Sequence, residues 1–164
     1  MTIERETGLT FPPDYKEVVG RYAQLVIDRN LGLWIYHPGI YPNVSERDSA
    51  LVVLNSLRSL SGSIDLISES GDVVEVPEMS HYPQTGGLYP WATTQNGDFC
   101  LWITHPDPTR WSVVVTDGTE WWKYPGSMLD FLVGALDGTV WCPIFGGGLS
   151  VEKQEFARED LDRR

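Results

Sequence analysis

The chain has 164 residues and a formal net charge of −11, from 23 acidic and 12 basic side chains. Apolar residues make up 41% of it and aromatic residues 12%, which argues against a disordered tail and predicts one folded domain. A negative field of this size repels phosphates, so the charge argues against nucleic acid and favours either solubility or a basic protein partner.

The first predicted element is a helix that begins at Pro12-Pro13 and ends before Asn30. Proline fits the first turn of a helix, and apolar residues follow at spacings of three and four. These residues are Tyr15, Val18, Val19, Tyr22, Leu25 and Val26. We assign residues 1–10 to an N-terminal extension and expect the helix to pack on a sheet.

A strand and a second helix are predicted next. Leu31 to Tyr36 carries the Trp, Ile and Tyr enrichment of a strand, and Ser45 is a plausible N-cap for the helix that follows. Ile64 to Pro77 contains two short apolar runs separated by an acidic turn, which predicts a small hairpin. Residues 79–87 read as a loop.

The stretch from Leu88 to Thr116 predicts the centre of an antiparallel sheet. Asn96-Gly97 suits a tight hairpin turn, and the unbroken apolar run around Trp102 is typical of a strand covered on both faces. A proline-bounded loop then leads to a strand that begins at Trp111. We predict that Trp102 belongs to the core.

The C-terminal third predicts a strand over residues 120–124, a helix capped by Ser127, and a short edge strand over residues 140–145. Residues 146–164 form a charged tail. Together these elements predict a single α+β domain over residues 11–145, with a central, mainly antiparallel sheet flanked by helices.

No catalytic or cofactor motif is visible. The three histidines, His37, His81 and His105, lack the spacing of a helical metal site and favour surface or loop-ordering roles. An enzyme would require two or more of five residues to converge in one pocket, namely His37, His81, His105, Asp98 and Asp107. We therefore predict no enzymatic activity, no cofactor and no metal.

Cys100 and Cys142 lie in apolar runs without CxxC spacing, which predicts free buried thiols and suits a reducing cytosol. The first residues lack a basic and apolar leader, and no apolar stretch approaches the roughly 20 residues of a membrane span. These features predict a cytoplasmic protein without a membrane segment.

An acidic segment precedes the central stretch. No Lys or Arg occurs between Arg58 and Arg110, which leaves two alternatives, a solvated acidic edge or a partner-facing surface. The candidate partner-binding acids are Asp65, Glu69, Asp72, Glu75 and Glu78. Trp121 joins them as a candidate, because adjacent tryptophans in a strand face opposite sides and an exposed one would dominate an interface. Burial of both Trp121 and Trp122 is the other interpretation.

The chain resembles the SUKH superfamily, which includes fungal cell-wall-assembly regulators and many bacterial immunity proteins. Residues 11–22, FPPDYKEVVGRY, resemble the family's opening helix. PWATTQNGD at 90–98, PDPTRWSVVV at 106–115 and MLDFLVGALDG at 128–138 resemble its actinobacterial type in the same order. The residues after Tyr22 depart from the pattern, since members often have a glycine-rich turn after this tyrosine.

The resemblance implies binding and not catalysis. It implies an immunity protein that neutralises a polymorphic toxin, often a nuclease, by direct contact. The basic surface that a nuclease needs for phosphates would complement an acidic inhibitor. A regulatory scaffold of signalling or cell-wall assembly is the alternative that the fungal relatives imply.

Overall fold

A computed structural model of the chain describes residues 2–22, 25–27, 31–36 and 45–145. The helices of this part are α1 (Thr2–Thr7), α2 (Pro13–Arg21), α3 (Glu46–Ser56) and α4 (Met128–Asp137). The strands are β1 (Leu25–Ile27), β2 (Leu33–Ile35), β3 (Ser63–Ile67), β4 (Val73–Pro77), β5 (Leu88–Thr93), β6 (Phe99–Ile103), β7 (Ser112–Thr116) and β8 (Glu120–Tyr124). The predicted tail at 146–164 lies outside the described residues.

The described strands form one eight-stranded sheet in the order β1-β2-β5-β6-β7-β8-β3-β4. Neighbouring strands are antiparallel except β3 and β8, which are parallel. Helices α2 and α4 contact each other, α4 contacts β7, and α3 contacts β5 and α1. This arrangement confirms the predicted α+β class with a mainly antiparallel sheet flanked by helices.

The centre of the sheet is covered on both faces. Val113, Val114 and Val115 alternate in direction along β7, and all three are fully buried. The turn between β5 and β6 closes as predicted, with Thr94 N donating to the carbonyl of Asp98 at 3.0 Å and Gly97 at a φ of +88°. A positive φ of this kind suits glycine, so the sequence places this turn correctly.

An aromatic cluster joins helix α2 to the sheet. The Trp102 ring lies 4.9 Å from Tyr15, 5.1 Å from Trp111 and 5.9 Å from Phe11, measured between ring centroids. Trp102 is 1% exposed, which confirms its predicted place in the core. Because these rings come from separate elements, each of them depends on the others for its burial.

Residues 2–10, assigned above to an extension, contribute to the core. Ile3 of α1 is buried among the core residues, and the Tyr82 hydroxyl donates to the carbonyl of Thr7 at 2.9 Å. The Glu4 carboxylate forms an ion pair with Lys16 and accepts a hydrogen bond from Phe11 N at 3.0 Å. These contacts fasten α1 to α2 and to the loop before β5.

The predicted first helix is too long. It ends at Arg21, Tyr22 is already extended at φ −124° and ψ 121°, and Leu25–Ile27 forms strand β1. Pairing with β2 supplies hydrogen bonds that the sequence could not indicate, because a short apolar run fits a helix and a strand equally well.

The predicted edge strand at 140–145 is also wrong. Pro143–Phe145 forms a 3₁₀ turn, in which Phe145 N donates to the carbonyl of Cys142 at 3.2 Å. The Phe145 ring lies 6.0 Å from that of Phe131 on α4. Pro143 lacks an N–H, so this segment could have joined the sheet only as an edge strand. It packs on α4 instead.

The other predicted elements are present. Ser45 and Ser127 cap α3 and α4 by accepting from Asp48 N and Asp130 N at 3.0 and 3.1 Å. The acidic hairpin is β3–β4, whose turn is closed by Ser68 N donating to the carbonyl of Asp72 at 2.8 Å.

Candidate partner-binding site

A row of three carboxylates crosses one end of the sheet. Asp65 on β3 is in register with Glu75 on β4 and with Glu120 on β8. Residues in register on neighbouring strands point to the same face, so all three side chains lie on one side. Among the described residues none of the three forms an ion pair with Lys or Arg. We call Glu75, Asp65 and Glu120 the acidic row.

Two members of the acidic row line an open pocket of about 350 Å³ between the end of α3 and the β3–β4 hairpin. Asp65 and Glu75 form part of its wall, and Ser59, Ser61 and Ser63 add hydroxyl groups. Ser63 Oγ donates to Glu75 Oε1 at 3.1 Å, which steadies that carboxylate. Arg58 also lines the pocket, and its serine hydroxyls both donate and accept. The two carboxylates, which only accept, are therefore the groups of the lining that suit the N–H groups of a basic side chain.

Glu78 stabilises the loop at the rim of this pocket. Its Oε1 accepts a hydrogen bond from Ser59 N at 2.8 Å and lies 3.7 Å from His81 Nε2. The Ser59 hydroxyl in turn donates to the carbonyl of Ser63 at 2.6 Å. Glu78 therefore holds the loop between α3 and β3 in place, although its prediction as a partner-binding residue was based on charge alone.

Glu69 and Asp72 lie at the opposite end of the hairpin. Both are in the exposed turn between β3 and β4, where Ser70 Oγ donates to Asp72 Oδ2 at 3.0 Å. The five predicted acids thus separate into the pocket pair Asp65 and Glu75, the turn pair Glu69 and Asp72, and the supporting Glu78. A partner that contacts the pocket wall need not contact the turn.

Trp121 lines the same pocket but is only 2% exposed, which corrects the expectation that it faces a partner. Strand β8 lies between β7 and β3, so both of its edges are paired. Trp122 is half-buried on the other face, with its ring 5.9 Å from Phe131. The alternative in which both tryptophans are largely buried therefore applies, and Trp121 contributes to the pocket lining without being exposed.

The histidines differ in their surroundings. His105 Nδ1 accepts from Asp107 N at 2.9 Å, a loop-ordering contact of the predicted kind, and His37 lies outside the described residues. His81 is buried, which corrects its expected surface position, and neither ring nitrogen has a hydrogen-bond partner among the described residues. Burial lowers the pKa of His81 from its ordinary 6.5, and the charge of Glu78 opposes that shift.

The buried His81 predicts a loss of stability in mild acid. Below pH 6.5 the unfolded chain binds a proton at this residue more readily than the folded chain does, so lowering the pH favours unfolding. We expect the free energy of unfolding to fall by up to about 1.4 kcal/mol per pH unit through this group. Urea unfolding between pH 5 and 8 measures this dependence of the free energy of unfolding on pH. If His81→Gln keeps the wild-type slope below pH 6.5, another group is responsible.

Asp98 and both cysteines are also buried titratable groups. Burial raises the pKa of Asp98, whose Oδ2 accepts from the Thr94 hydroxyl at 3.0 Å. Cys100 and Cys142 are free and buried, as predicted, and burial raises the pKa of Cys142 to about 12. A thiol that stays protonated at neutral pH is a poor nucleophile, so both cysteines act as core residues.

Sequence reasoning missed Glu120 and the serines of the pocket. Glu120 directly precedes Trp121 in a correctly predicted strand, but only the parallel pairing of β3 with β8 brings it beside Asp65. The serine-rich stretch from Ser59 to Ser63 follows the predicted second helix in the sequence. Its density of hydroxyl groups beside an acidic segment was the signal that could have indicated a polar pocket.

The fold and this site define an α+β protein with a polar pocket, walled in part by two carboxylates, at one end of a mainly antiparallel sheet. Comparisons with protein-family models, with curated proteins and with solved structures found no match. Within residues 2–22, 25–27, 31–36 and 45–145, no group of three or more His, Cys, Asp or Glu side chains could hold a metal ion. In the same part of the chain, no helix combines the length and apolar character needed to cross a membrane.

Proposed function

We propose that this protein is a non-catalytic, cytoplasmic binding domain of the SUKH type that recognises a basic protein partner. The observation that carries the proposal is the acidic row, in which three carboxylates on neighbouring strands lack ion pairs among the described residues. Like charges directly across a sheet are destabilising, so an arrangement that retains them is best explained by a cationic partner.

The pocket supplies the local contacts for that partner. An arginine or lysine side chain entering beside Asp65 and Glu75 would form charge-assisted hydrogen bonds with both carboxylates. The net charge of −11 would accelerate the encounter with a basic surface, and this effect weakens as salt screens it. The buried free thiols of Cys100 and Cys142 agree with a reducing compartment.

The sequence resemblance specifies the partner further as a toxin domain. In this proposal the protein neutralises the toxin by covering its basic surface, as an immunity protein. A nuclease fits this role because the surface that binds phosphates must be basic.

Neutralising two pocket acids should weaken capture of the partner. We expect Asp65→Asn/Glu75→Gln to reduce affinity at least about tenfold, a loss of about 1.4 kcal/mol in binding free energy. The measurement is a pull-down from the source cell, identification of the captured protein, and titration of that protein with each variant at two salt concentrations.

The matched control removes the same charge elsewhere. Glu6 and Asp130 are exposed residues of α1 and α4, so Glu6→Gln/Asp130→Asn alters the net charge equally without changing the pocket. The control should retain near wild-type affinity. Equal weakening by both double variants would show that only net charge matters, and unchanged capture by the pocket variant would remove the site assignment. Growth rescue by co-expression with the captured protein then tests the immunity role.

A further inference from the structure

The outer edge of β4, the strand that carries Glu75 of the acidic row, is a second feature of this site. β4 is the last strand in the sheet order, and no described strand pairs with its outer side. Val73 and Val74 are 54% and 47% exposed, and Glu75 is also exposed. An exposed edge of this kind is a template for another extended chain. The side chains along the edge determine which chain can pair with it.

The hydrogen-bond pattern of the hairpin shows which backbone groups face outward. Glu78 N donates to the carbonyl of Gly62 at 3.0 Å, and Ser68 N donates to that of Asp72 at 2.8 Å. Bonded pairs alternate along an antiparallel ladder, so Val74 turns its N–H and C=O toward β3. Val73 and Glu75 therefore turn theirs toward the free edge.

We propose that β4 binds an extended, basic segment of the partner by antiparallel strand addition, an inference that rests on the proposed function. The side chain placed opposite Glu75 would lie on the same face as the acidic row and extend it. A lysine or arginine at that position neutralises a carboxylate that lacks an ion pair among the described residues. Antiparallel pairing is the more stable arrangement per residue.

The acidic row also argues against a second copy of this chain as the occupant. A symmetric β4–β4 pairing centred on Glu75 would place the two Glu75 carboxylates opposite each other, beside the Asp65 carboxylates of both chains. Like charges in that position are destabilising. Pro77 lacks an N–H and limits the length of the edge that can pair. The edge of β4 therefore disfavours pairing with a second copy of this chain and favours pairing with a basic chain.

Two substitutions at Glu75 separate the backbone from the charge. Glu75→Gln removes the charge and keeps the outward N–H, whereas Glu75→Pro removes both. Because this N–H is not used by the β3–β4 ladder, proline there leaves the hairpin bonds intact. The probe is a capped hexapeptide of alternating lysine and valine, titrated by fluorescence anisotropy. We expect Glu75→Pro to bind it at least about tenfold more weakly than Glu75→Gln. Equal affinity of two folded variants would overturn strand addition.

Two methylated forms of the peptide test the same proposal with the wild-type protein, should Glu75→Pro fail to fold. In antiparallel addition the lysine opposite Glu75 turns its N–H toward β4, and the valines turn theirs away. N-methylation of the lysine nitrogens should abolish binding, and N-methylation of the valine nitrogens should not. Equal binding of both forms, or loss only with methylated valines, would overturn antiparallel addition.

The outcomes also separate this inference from the proposed function. If Asp65→Asn/Glu75→Gln loses the captured partner while both methylated peptides bind equally, the acidic site stands and strand addition fails. If that double variant captures the partner normally, the proposed site fails independently of the peptide. A dimer that Glu75→Pro dissociates and that the peptide does not displace would assign the edge to a second copy and overturn the basic occupant.

Discussion

Replacement of Trp102 by alanine should lower the free energy of unfolding by about 3 to 5 kcal/mol, the range for removing a large buried aromatic side chain. The indole is 1% exposed and contacts the rings of five residues. These are Phe11, Tyr15, Tyr89, Trp91 and Trp111. The loss would therefore open a cavity between helix α2 and strands β5 and β6, and urea unfolding at pH 7.5 measures the change in stability.

Two companion variants test the reason for this effect. Trp102→Phe retains an aromatic ring and removes an indole N–H that has no hydrogen-bond partner among the described residues, so it should cost less than Trp102→Ala. Trp141 is 63% exposed, and Trp141→Ala should change stability by no more than about 0.5 kcal/mol. A Trp102→Ala protein as stable as Trp141→Ala would contradict the assignment of Trp102 to the core.

Replacement of Gly87 by alanine should destabilise the fold by about 1 to 3 kcal/mol, the usual cost of overpacking. A Cβ atom at this position would lie 2.4 Å from the carbonyl carbon of His81 and 2.5 Å from Tyr82 N. Both neighbours are backbone atoms, which cannot rotate away as a side chain would. The affected loop carries Leu88 N, which donates to the carbonyl of Ser80 at 2.9 Å at the start of β5. Thermal unfolding measures the loss.

Gly20→Ala is the matched control. This glycine lies in α2 with no heavy atom within 4 Å of an added Cβ, and its φ is not positive. Alanine should stabilise the helix there by up to about 1 kcal/mol, because it restricts the unfolded chain and favours the helical state. Equal effects of the two substitutions would show that backbone crowding at Gly87 does not determine stability.

Most local elements could be predicted from the sequence because their signals are local. Ser45 and Ser127 cap helices through their own side chains, and Asn96-Gly97 supplies the positive φ of the β5–β6 turn. The errors fall where tertiary pairing competes with local pattern. Leu25–Ile27 pairs with β2 instead of extending α2, and Phe145 packs on Phe131 instead of joining the sheet.

The acidic composition and the place of Asp65 and Glu75 in a hairpin were determined by the sequence alone, because alternation and turn residues fix which side chains neighbour one another along a hairpin. Only the tertiary structure placed β8 beside β3, which completed the acidic row with Glu120 and buried Trp121. Parallel pairing joins strands that are distant in the chain, and no local pattern encodes its register. The same pairing left β4 at the edge, with Val73 and Glu75 directing their backbone groups outward.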